Sequence, residues 1–558
     1  MSLDTSPVEH PAGFADVALP QSDSGVAPSP SSSSKRRAWR WAVGAVRGAG
    51  LVGLTAGLVG LPWIFPSLFF VAWVGMGLMA LIASQLRPFP AFAYGYLSGI
   101  GALGIAFHWS VQAIAETVQT DWNVASAVFA GLLMWEGLQM AIFAALVAWV
   151  VGKDLSRAWA IPFLWVVPEF WWPKIFPWSM AHLQTDYPLL LQTADWGGVP
   201  SVSFLFMLAA SVAALLLARA AWRWRQIGTS SVALGRQLAT ASGLFLLVLA
   251  AAWLRQQQVQ WAADRSEQFT AAAIQIDPTF VGWIDKLRDL SRQVESEADL
   301  ICWPESSTGT YDEALGHFRD VSRTIRHSRM PNPATTLLPD AKCHLLAGAK
   351  TYQSQNKKDG PYRNTALLVA PDQSIVDQYV KRALMPIGEY MPGEHLYPEL
   401  RTMANIDKDI IPGTAADPLT VSGVAQPGVL ICYEDLVTWT ARSTVAQGAD
   451  CLVALVNASA FTNPITLDQH YRLAMLRSVE NRRALIRCSA TGITSVVSPT
   501  GELLASVPCF AEAALVQQVP RMKGTSFYTR YGDTFAYFCT AVTVGLVCVG
   551  ARRRHRQA

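Results

Sequence analysis

Residues 428–435 read Gly-Val-Leu-Ile-Cys-Tyr-Glu-Asp. The apolar run is typical of a short buried strand, and it turns polar at Cys432. Two further apolar strands are predicted to end in the same way, one just before Glu305 and one just before Lys381. Because reactive groups collect beyond the carboxyl ends of strands in open α/β sheets, we expect these three side chains to lie together.

These three residue types are sufficient for acyl transfer, although each alone has an ordinary structural interpretation. A thiol that attacks an acyl group must become a thiolate, which needs a base or a nearby cation. Glu305 can accept the proton, while Lys381 can lower the pKa of the Cys432 thiol and bind the developing oxyanion. Cys302 is a rival thiol, but its strand parity opposes that of Glu305, so we expect it to face away and be buried.

Other catalytic classes lack their motifs in this chain. The eight cysteines form no C-x-x-C pair, and no H-E-x-x-H or G-x-S-x-G motif occurs, so neither zinc hydrolysis nor an α/β-hydrolase triad is indicated. His182 and His470 are therefore not predicted to be metal ligands. The G-x-G-x-x-G at residues 99–104 lies within a predicted membrane helix, which favours close helix packing over dinucleotide binding. We expect no metal and no cofactor.

The composition indicates a membrane protein. Of 558 residues, 51% are hydrophobic and only 15% are charged, whereas soluble domains carry about 25% charged residues. The net charge of +3 argues against a broad phosphate-binding surface, so we expect no nucleic-acid partner. Residues 48–86 contain no charge and are long enough for two membrane helices. Eight spans are predicted in total, the other six near residues 88–107, 122–151, 158–173, 197–218, 237–254 and 534–551.

The distribution of Lys and Arg predicts the orientation of these spans. If the N-terminus is cytoplasmic, the inside loops are basic, whereas the outside loop near 108–121 has no Lys or Arg and the one near 174–196 has only Lys174. The region after the seventh span then lies on the far side, which is the periplasm in a Gram-negative bacterium, and both termini are cytoplasmic. Glu136, within the fourth span, has either a functional role or a structural hydrogen bond to a neighbouring helix.

These observations divide the chain into five parts. They are a disordered Ser/Pro-rich tail at 1–34, a membrane domain with seven helices at 35–255, an α/β domain at 265–530, a final membrane helix at 534–551 and a basic cytoplasmic tail at 552–558.

Three motifs resemble those of the nitrilase superfamily. Trp-Pro-Glu at 303–305, Lys-x-x-Leu-x-Pro-x-Gly-Glu-Tyr-x-Pro at 381–392 and Ile-Cys-Tyr-Glu at 431–434 are similar to its Glu-Lys-Cys triad motifs. The closest resemblance is to its membrane-embedded branch, the apolipoprotein N-acyltransferases, and it spans about residues 50 to 550. The resemblance implies a multi-span helical membrane domain joined to an α/β nitrilase-like αββα sandwich.

The resemblance also implies a ping-pong reaction at the bacterial inner membrane. Cys432 would take an acyl chain from a phospholipid as a thioester and pass it to the α-amine of the diacylglyceryl-cysteine of an apolipoprotein. Glu305 would be the general base and Lys381 the oxyanion partner. The enzyme is expected to be a monomer.

Four further site residues follow from the resemblance. Glu389 would hold Lys381 or the acceptor amine, Tyr433 and Glu434 would flank the nucleophile, and Trp283 would contact substrate from a loop. The chain departs from the family pattern at 458–462 and at 275–277, where donor or acceptor preference would be affected.

Three alternatives remain open at this point. The first is a membrane-tethered nitrilase-type amidase that acts on a small C–N substrate, although a tether needs only one span. The second is a non-catalytic scaffold whose nitrilase-like domain only binds partners. The third is a transporter, which would use Glu136 but gives no reason for the triad.

Overall fold

The computed structural model describes residues 32–225, 231–278, 282–313, 317–318, 336–352, 360–403, 406 and 409–555. By its contacts the chain divides into two units, residues 1–51 and 52–558, and all packing described below belongs to the second unit. Residues 1–31 of the predicted disordered tail and residues 556–558 of the basic tail lie outside the described residues.

The N-terminal part of the chain is helical. Its helices are α1 (Ser32–Gly60), α2 (Phe69–Gln85), α3 (Pro88–Ala106), α4 (Ser110–Val118), α5 (Trp122–Val150), α6 (Ile161–Trp171), α7 (Pro188–Leu191), α8 (Ala194–Arg225) and α9 (Ser231–Asp264). Within the described residues, seven helical segments are long and apolar enough to cross a membrane, by length and composition. They are Ala45–Trp63, Pro66–Gln85, Pro88–Ala106, Trp122–Val150, Ala194–Ala221, Val232–Asp264 and Thr534–Arg552.

The predicted fifth span, at 158–173, is not among these seven segments. Its helix α6 has only 11 residues, about half the length that a bilayer core requires. Pro162 lies at its start and Pro168 inside it. The segment nevertheless runs along α5, because Arg157 bonds to the carbonyl of Val150 and the Trp135 indole bonds to the carbonyl of Pro173. Those two points on α5 are about 22 Å apart along the helix axis.

Glycines let the membrane helices approach closely. A Cβ built on Gly95 of α3 would lie 2.5 Å from the carbonyl oxygen of Met140 on α5, and one on Gly99 would lie 3.1 Å from that of Gly137. The 99–104 motif therefore packs helix against helix, in agreement with the sequence interpretation.

The C-terminal part contains an α/β domain. Its strands are β1 (Gln268–Gln275), β2 (Leu300–Trp303), β3 (Thr310–Asp312), β4 (His317–Phe318), β5 (His344–Tyr352), β6 (Arg363–Val369), β7 (Ile375–Val380), β8 (Pro427–Ile431), β9 (Cys451–Asn457), β10 (Leu485–Ala490), β11 (Thr494–Val497), β12 (Leu503–Val507) and β13 (Ala513–Pro520). Its helices, with the last predicted span, are α10 (Trp283–Val294), α11 (Glu399–Met403), α12 (Thr438–Ala446), α13 (Pro464–Asn481), α14 (Phe527–Tyr531) and α15 (Thr534–His555).

The described strands form two sheets that pack face to face. The larger has the order β13-β1-β2-β5-β3-β4, with β6 beside β5 and β7 beside β6, and the smaller has the order β12-β11-β10-β9-β8. An apolar core lies between the sheets, and it includes Cys302, Val429 and Val453. A second core lies between the larger sheet and α10, and a third between the smaller sheet and α12 and α13. This is the αββα sandwich that the resemblance implied.

Helix α13 joins the sandwich to the membrane helices. The buried Gln469 side chain donates to the carbonyl of Trp63, 3.1 Å away, and to that of Ala106, 3.0 Å away, at the ends of two membrane segments. It also accepts from the Trp109 indole at 3.0 Å. All three bonds are buried, so Gln469 fixes the sandwich against the ends of the bundle.

Candidate active site

The nucleophile candidate lies in a sharp turn. Strand β8 ends at Ile431, and residues Cys432–Asp435 form one turn of 3₁₀-helix. Cys432 itself has φ of 53°, a left-handed conformation that is costly for a residue with a Cβ. The predicted strand therefore ends at Ile431, and the chain leaves the extended conformation at Cys432.

Glu434 holds this turn in place. Its carboxylate accepts from the N–H groups of Ile431 at 2.8 Å, Arg382 at 2.7 Å and Ala383 at 2.9 Å, and from the Tyr379 hydroxyl at 2.9 Å. Glu434 is fully buried. Burial raises its pKa, and the backbone donors partly offset that rise. Since its partners belong to the nucleophile turn and to the segment around Lys381, Glu434 ties these two parts of the site together.

Glu305 follows β2 and is held by two donors. Its Oε1 accepts from the Asn364 side chain at 2.7 Å, and its Oε2 accepts from the backbone N–H of Asn457 at 3.0 Å. The turn behind it packs closely on β5, since a Cβ built on Gly348 would lie 2.6 Å from the Cα of Glu305. Only a glycine at this point of β5 leaves room for the turn.

Lys381 lies between two carboxylates. It is 1% exposed, and its Nζ lies 2.6 Å from Glu389 Oε1 and 4.0 Å from Glu305 Oε1. The second oxygen of Glu389 accepts from the N–H of Met385 at 2.7 Å. Burial alone would lower the pKa of Lys381, but the Cys432 sulfur when it is ionised, together with the carboxylates of Glu305 and Glu389, outweighs burial and raises it. Lys381 is therefore a permanent cation at neutral pH.

The electrostatics of the site keep the Cys432 thiol protonated at rest. Burial raises its pKa well above the ordinary value, Glu305 raises it further, and Lys381 lowers it. The thiolate must then form only as the proton moves to a base, and Glu305 is a carboxylate close enough to interact with the thiol charge. Cys302 is fully buried between the sheets, as its strand parity predicted, and burial raises its pKa to about 12.

Each of the two remaining site candidates, Tyr433 and Trp283, makes a hydrogen bond close in the chain to a triad residue. The Tyr433 hydroxyl donates to the carbonyl of Ile175 at 2.9 Å, in the segment that follows α6. The Trp283 indole donates to the carbonyl of Ser307 at 2.9 Å, two residues beyond Glu305. The structure thus brings all seven sequence-predicted residues around one site.

Two supporting features were missed by the sequence interpretation. Asn364, which holds Glu305, is a buried polar residue near the start of the apolar strand β6, and this was its only signal. Asp435 pairs with His470 at 3.1 Å and with Arg487 at 3.0 Å directly behind the nucleophile turn. Burial alone would raise the Asp435 pKa, but the contacts with His470 and Arg487 lower it. In the sequence, the only sign of this role is that Asp435 is the second acidic residue after Cys432.

Comparison with known proteins agrees with this architecture. Residues 255–527 match the carbon-nitrogen hydrolase family, and residues 55–212 match the apolipoprotein N-acyltransferase N-terminal domain. The chain is 29% identical to an apolipoprotein N-acyltransferase of Geobacter metallireducens, over 90% of this chain and 95% of that protein. It is 27% identical to one of Methylococcus capsulatus, over 90% and 96%. An amidase from Nesterenkonia sp. of known structure is 18% identical, with a TM-score of 0.35, over 49% of this chain and 97% of that chain.

The fold and the site together define a nitrilase-superfamily domain carried on a helical membrane bundle. Within this class, the chain combines a carbon-nitrogen hydrolase region with the apolipoprotein N-acyltransferase N-terminal domain. Along 90% of its length the chain is similar to apolipoprotein N-acyltransferases, and the resemblance seen in the sequence is confirmed.

Proposed function

We propose that this protein N-acylates the N-terminal diacylglyceryl-cysteine of bacterial apolipoproteins with an acyl chain from a phospholipid. The observation that carries the proposal is the Glu305, Lys381 and Cys432 site, attached to membrane helices through Tyr433 and Ile175. Both substrates carry lipid chains, so a site at the bilayer surface confines them and removes much of the entropy of their encounter.

In the first half-reaction, Glu305 accepts the thiol proton of Cys432 as the sulfur attacks the ester carbonyl carbon of the phospholipid. The oxyanion of the tetrahedral intermediate is stabilised by the ammonium group of Lys381. The ester C–O bond then breaks, Glu305 returns the proton to the leaving glycerol oxygen, and lysophospholipid departs. The enzyme is left with an acyl thioester.

In the second half-reaction, the α-amine of the diacylglyceryl-cysteine attacks the thioester carbonyl. Glu305 accepts a proton from the amine nitrogen, the C–S bond breaks, and the proton passes to the sulfur of Cys432. An amide has formed and the thiol is restored. Glu389 holds Lys381 in place throughout, because their 2.6 Å contact fixes the ammonium group.

We place the sandwich on the periplasmic side of the inner membrane, with both termini in the cytoplasm. The basic loops support this orientation. It also requires the segment from Arg157 to Pro173 to connect the two membrane faces, and its contacts along α5 support such a path. Labelling single cysteines at Asp154 and Asp417 with a membrane-impermeant maleimide tests this: Asp417 should be labelled from outside and Asp154 only after lysis.

The test of the acyl transfer itself is the intact mass of purified protein after incubation with phosphatidylethanolamine. We expect one acyl adduct that hydroxylamine removes, that is absent from Cys432→Ser and that is retained by Cys302→Ser, a matched change of a buried thiol. Absence of the adduct in the wild type, with hydrolysis of small amides instead, would favour the tethered amidase.

A further inference from the structure

A charged cluster, buried at Glu169 and partly buried at its other two members, lies in the membrane part of the protein, outside the catalytic site. It consists of Glu136 on α5, Glu169 on α6 and Lys174, which begins the segment 174–180, here called the linker segment. The charge of Lys174 interacts with both carboxylates. Charged groups among apolar helices are costly unless they are paired and hydrogen-bonded, so each of these should have a defined partner.

Glu136 and Glu169 each accept one hydrogen bond from a helix side chain, Gln139 and Trp165 respectively, and each also accepts one from the linker segment. The Trp178 indole donates to Glu136 Oε2 at 3.2 Å, and the N–H of Met180 donates to Glu169 Oε1 at 2.7 Å. Lys174 Nζ donates to the carbonyl of Trp178 at 2.7 Å and lies 4.6 Å from the centre of its ring. Two points of the linker segment, Trp178 and Met180, are therefore fixed relative to α5 and α6, and Lys174 ties the start of the segment to Trp178.

The linker segment in turn contacts the nucleophile turn. The carbonyl of Ile175, which lies between Lys174 and Trp178 in the chain, accepts from the Tyr433 hydroxyl at 2.9 Å. Tyr433 directly follows Cys432, whose left-handed conformation depends on its surroundings for support. A shift of the Ile175 carbonyl would thus be passed to the nucleophile through one hydrogen bond.

We propose that the Glu136–Glu169–Lys174 cluster is a positioning site that sets the place of Cys432 through the linker segment and Tyr433. It touches no substrate. The rate of acyl transfer in the sandwich then depends on contacts with the membrane bundle. This inference rests on the proposed function. It also resolves the alternatives for Glu136: its hydrogen bond is structural, and what that bond supports is the active site.

The test is a double-mutant cycle on the rate of thioester formation at saturating phosphatidylethanolamine. Glu136→Leu removes the acceptor of Trp178, and Tyr433→Phe removes the bond to Ile175. Each should lower the rate about tenfold, the effect of losing one buried hydrogen bond, and leave the half-saturating lipid concentration unchanged. The double variant should lie within about twofold of Tyr433→Phe, because both changes break one connection.

Controls separate positioning from folding. Glu136→Gln keeps an acceptor for Trp178 and should recover part of the rate, while Asp154→Asn removes an exposed carboxylate of the α5–α6 loop and should match wild type. The proposal would be overturned if the double variant lost the product of the two single-variant rate reductions. It would also be overturned if Glu136→Leu formed the thioester at the wild-type rate. If Glu136→Leu does not fold, Glu136→Gln takes its place in the cycle.

A second readout is independent of the acyl-transfer reaction. The rate of Cys432 alkylation by iodoacetamide, followed by peptide mass, should change in the same order across these variants. A wild type that forms no thioester would refute the proposed function, whereas an alkylation rate unaffected by Glu136→Leu would refute the positioning role.

Discussion

Replacing Gly348 by alanine tests how closely Glu305 must be held. The added Cβ would lie 2.5 Å from the carbonyl oxygen of Pro304 and 2.7 Å from the backbone nitrogen of Ser306, whereas ordinary contacts begin at 3.4 Å. Because β5 is paired on both sides, the turn that carries Glu305 must move, by about 0.9 Å. A displacement of about 1 Å at a reacting group costs on the order of 100-fold in rate.

The assay is single-turnover thioester formation on Cys432, followed by intact mass, with thermal unfolding measured on the same samples. Overpacking should also cost about 1–3 kcal/mol of stability, which leaves a folded protein to assay. The matched control is Gly131→Ala, where an added Cβ meets no atom within 4 Å. A folded Gly348→Ala protein with a rate within twofold of wild type would refute the placement of Glu305 as the base.

Three further predictions follow from the site. Glu434→Gln should lower the melting temperature and slow thioester formation, because an amide nitrogen must then face an N–H donor. Calorimetry measures the first effect and intact mass the second. An unchanged rate would contradict the role of Glu434 in tying Cys432 to Lys381. In the absence of substrate, the raised pKa of Cys432 predicts that its alkylation by iodoacetamide keeps accelerating as pH rises through 9, and a plateau near neutral pH would contradict this. Gln469→Ala should slow acyl transfer from lipid by about tenfold through loss of buried bonds to the bundle, with Gln447→Ala as the unaffected control.

The positions of the triad could be predicted from sequence because they follow from strand ends. Each of Glu305, Lys381 and Cys432 comes within two residues of an apolar strand, where reactive groups collect, although β8 belongs to the smaller sheet and the other two strands to the larger. The burial of Cys302 followed from the same two-residue period. Both are local properties, and local periodicity is what a single sequence reports well.

Contacts between distant segments could not be predicted in this way. The bond between Tyr433 and Ile175 joins residues 258 positions apart, and no residue pattern at either end specifies it. Likewise, Gly348 resembles any glycine in a strand until the Glu305 turn is placed against it. The length of α6 was also misjudged, because hydropathy alone did not show where Trp172 and Pro173 end the helix.

The most direct test of the account is a chase of the isolated acyl-enzyme. Protein loaded from phosphatidylethanolamine with deuterated acyl chains is freed of lipid and mixed with a diacylglyceryl-cysteine peptide, and both masses are followed in time. The account predicts that the deuterated chain leaves Cys432 and appears as an amide on the peptide α-amine at the same rate. Release of deuterated fatty acid with no acylated peptide, or peptide acylation by Cys432→Ser, would contradict it.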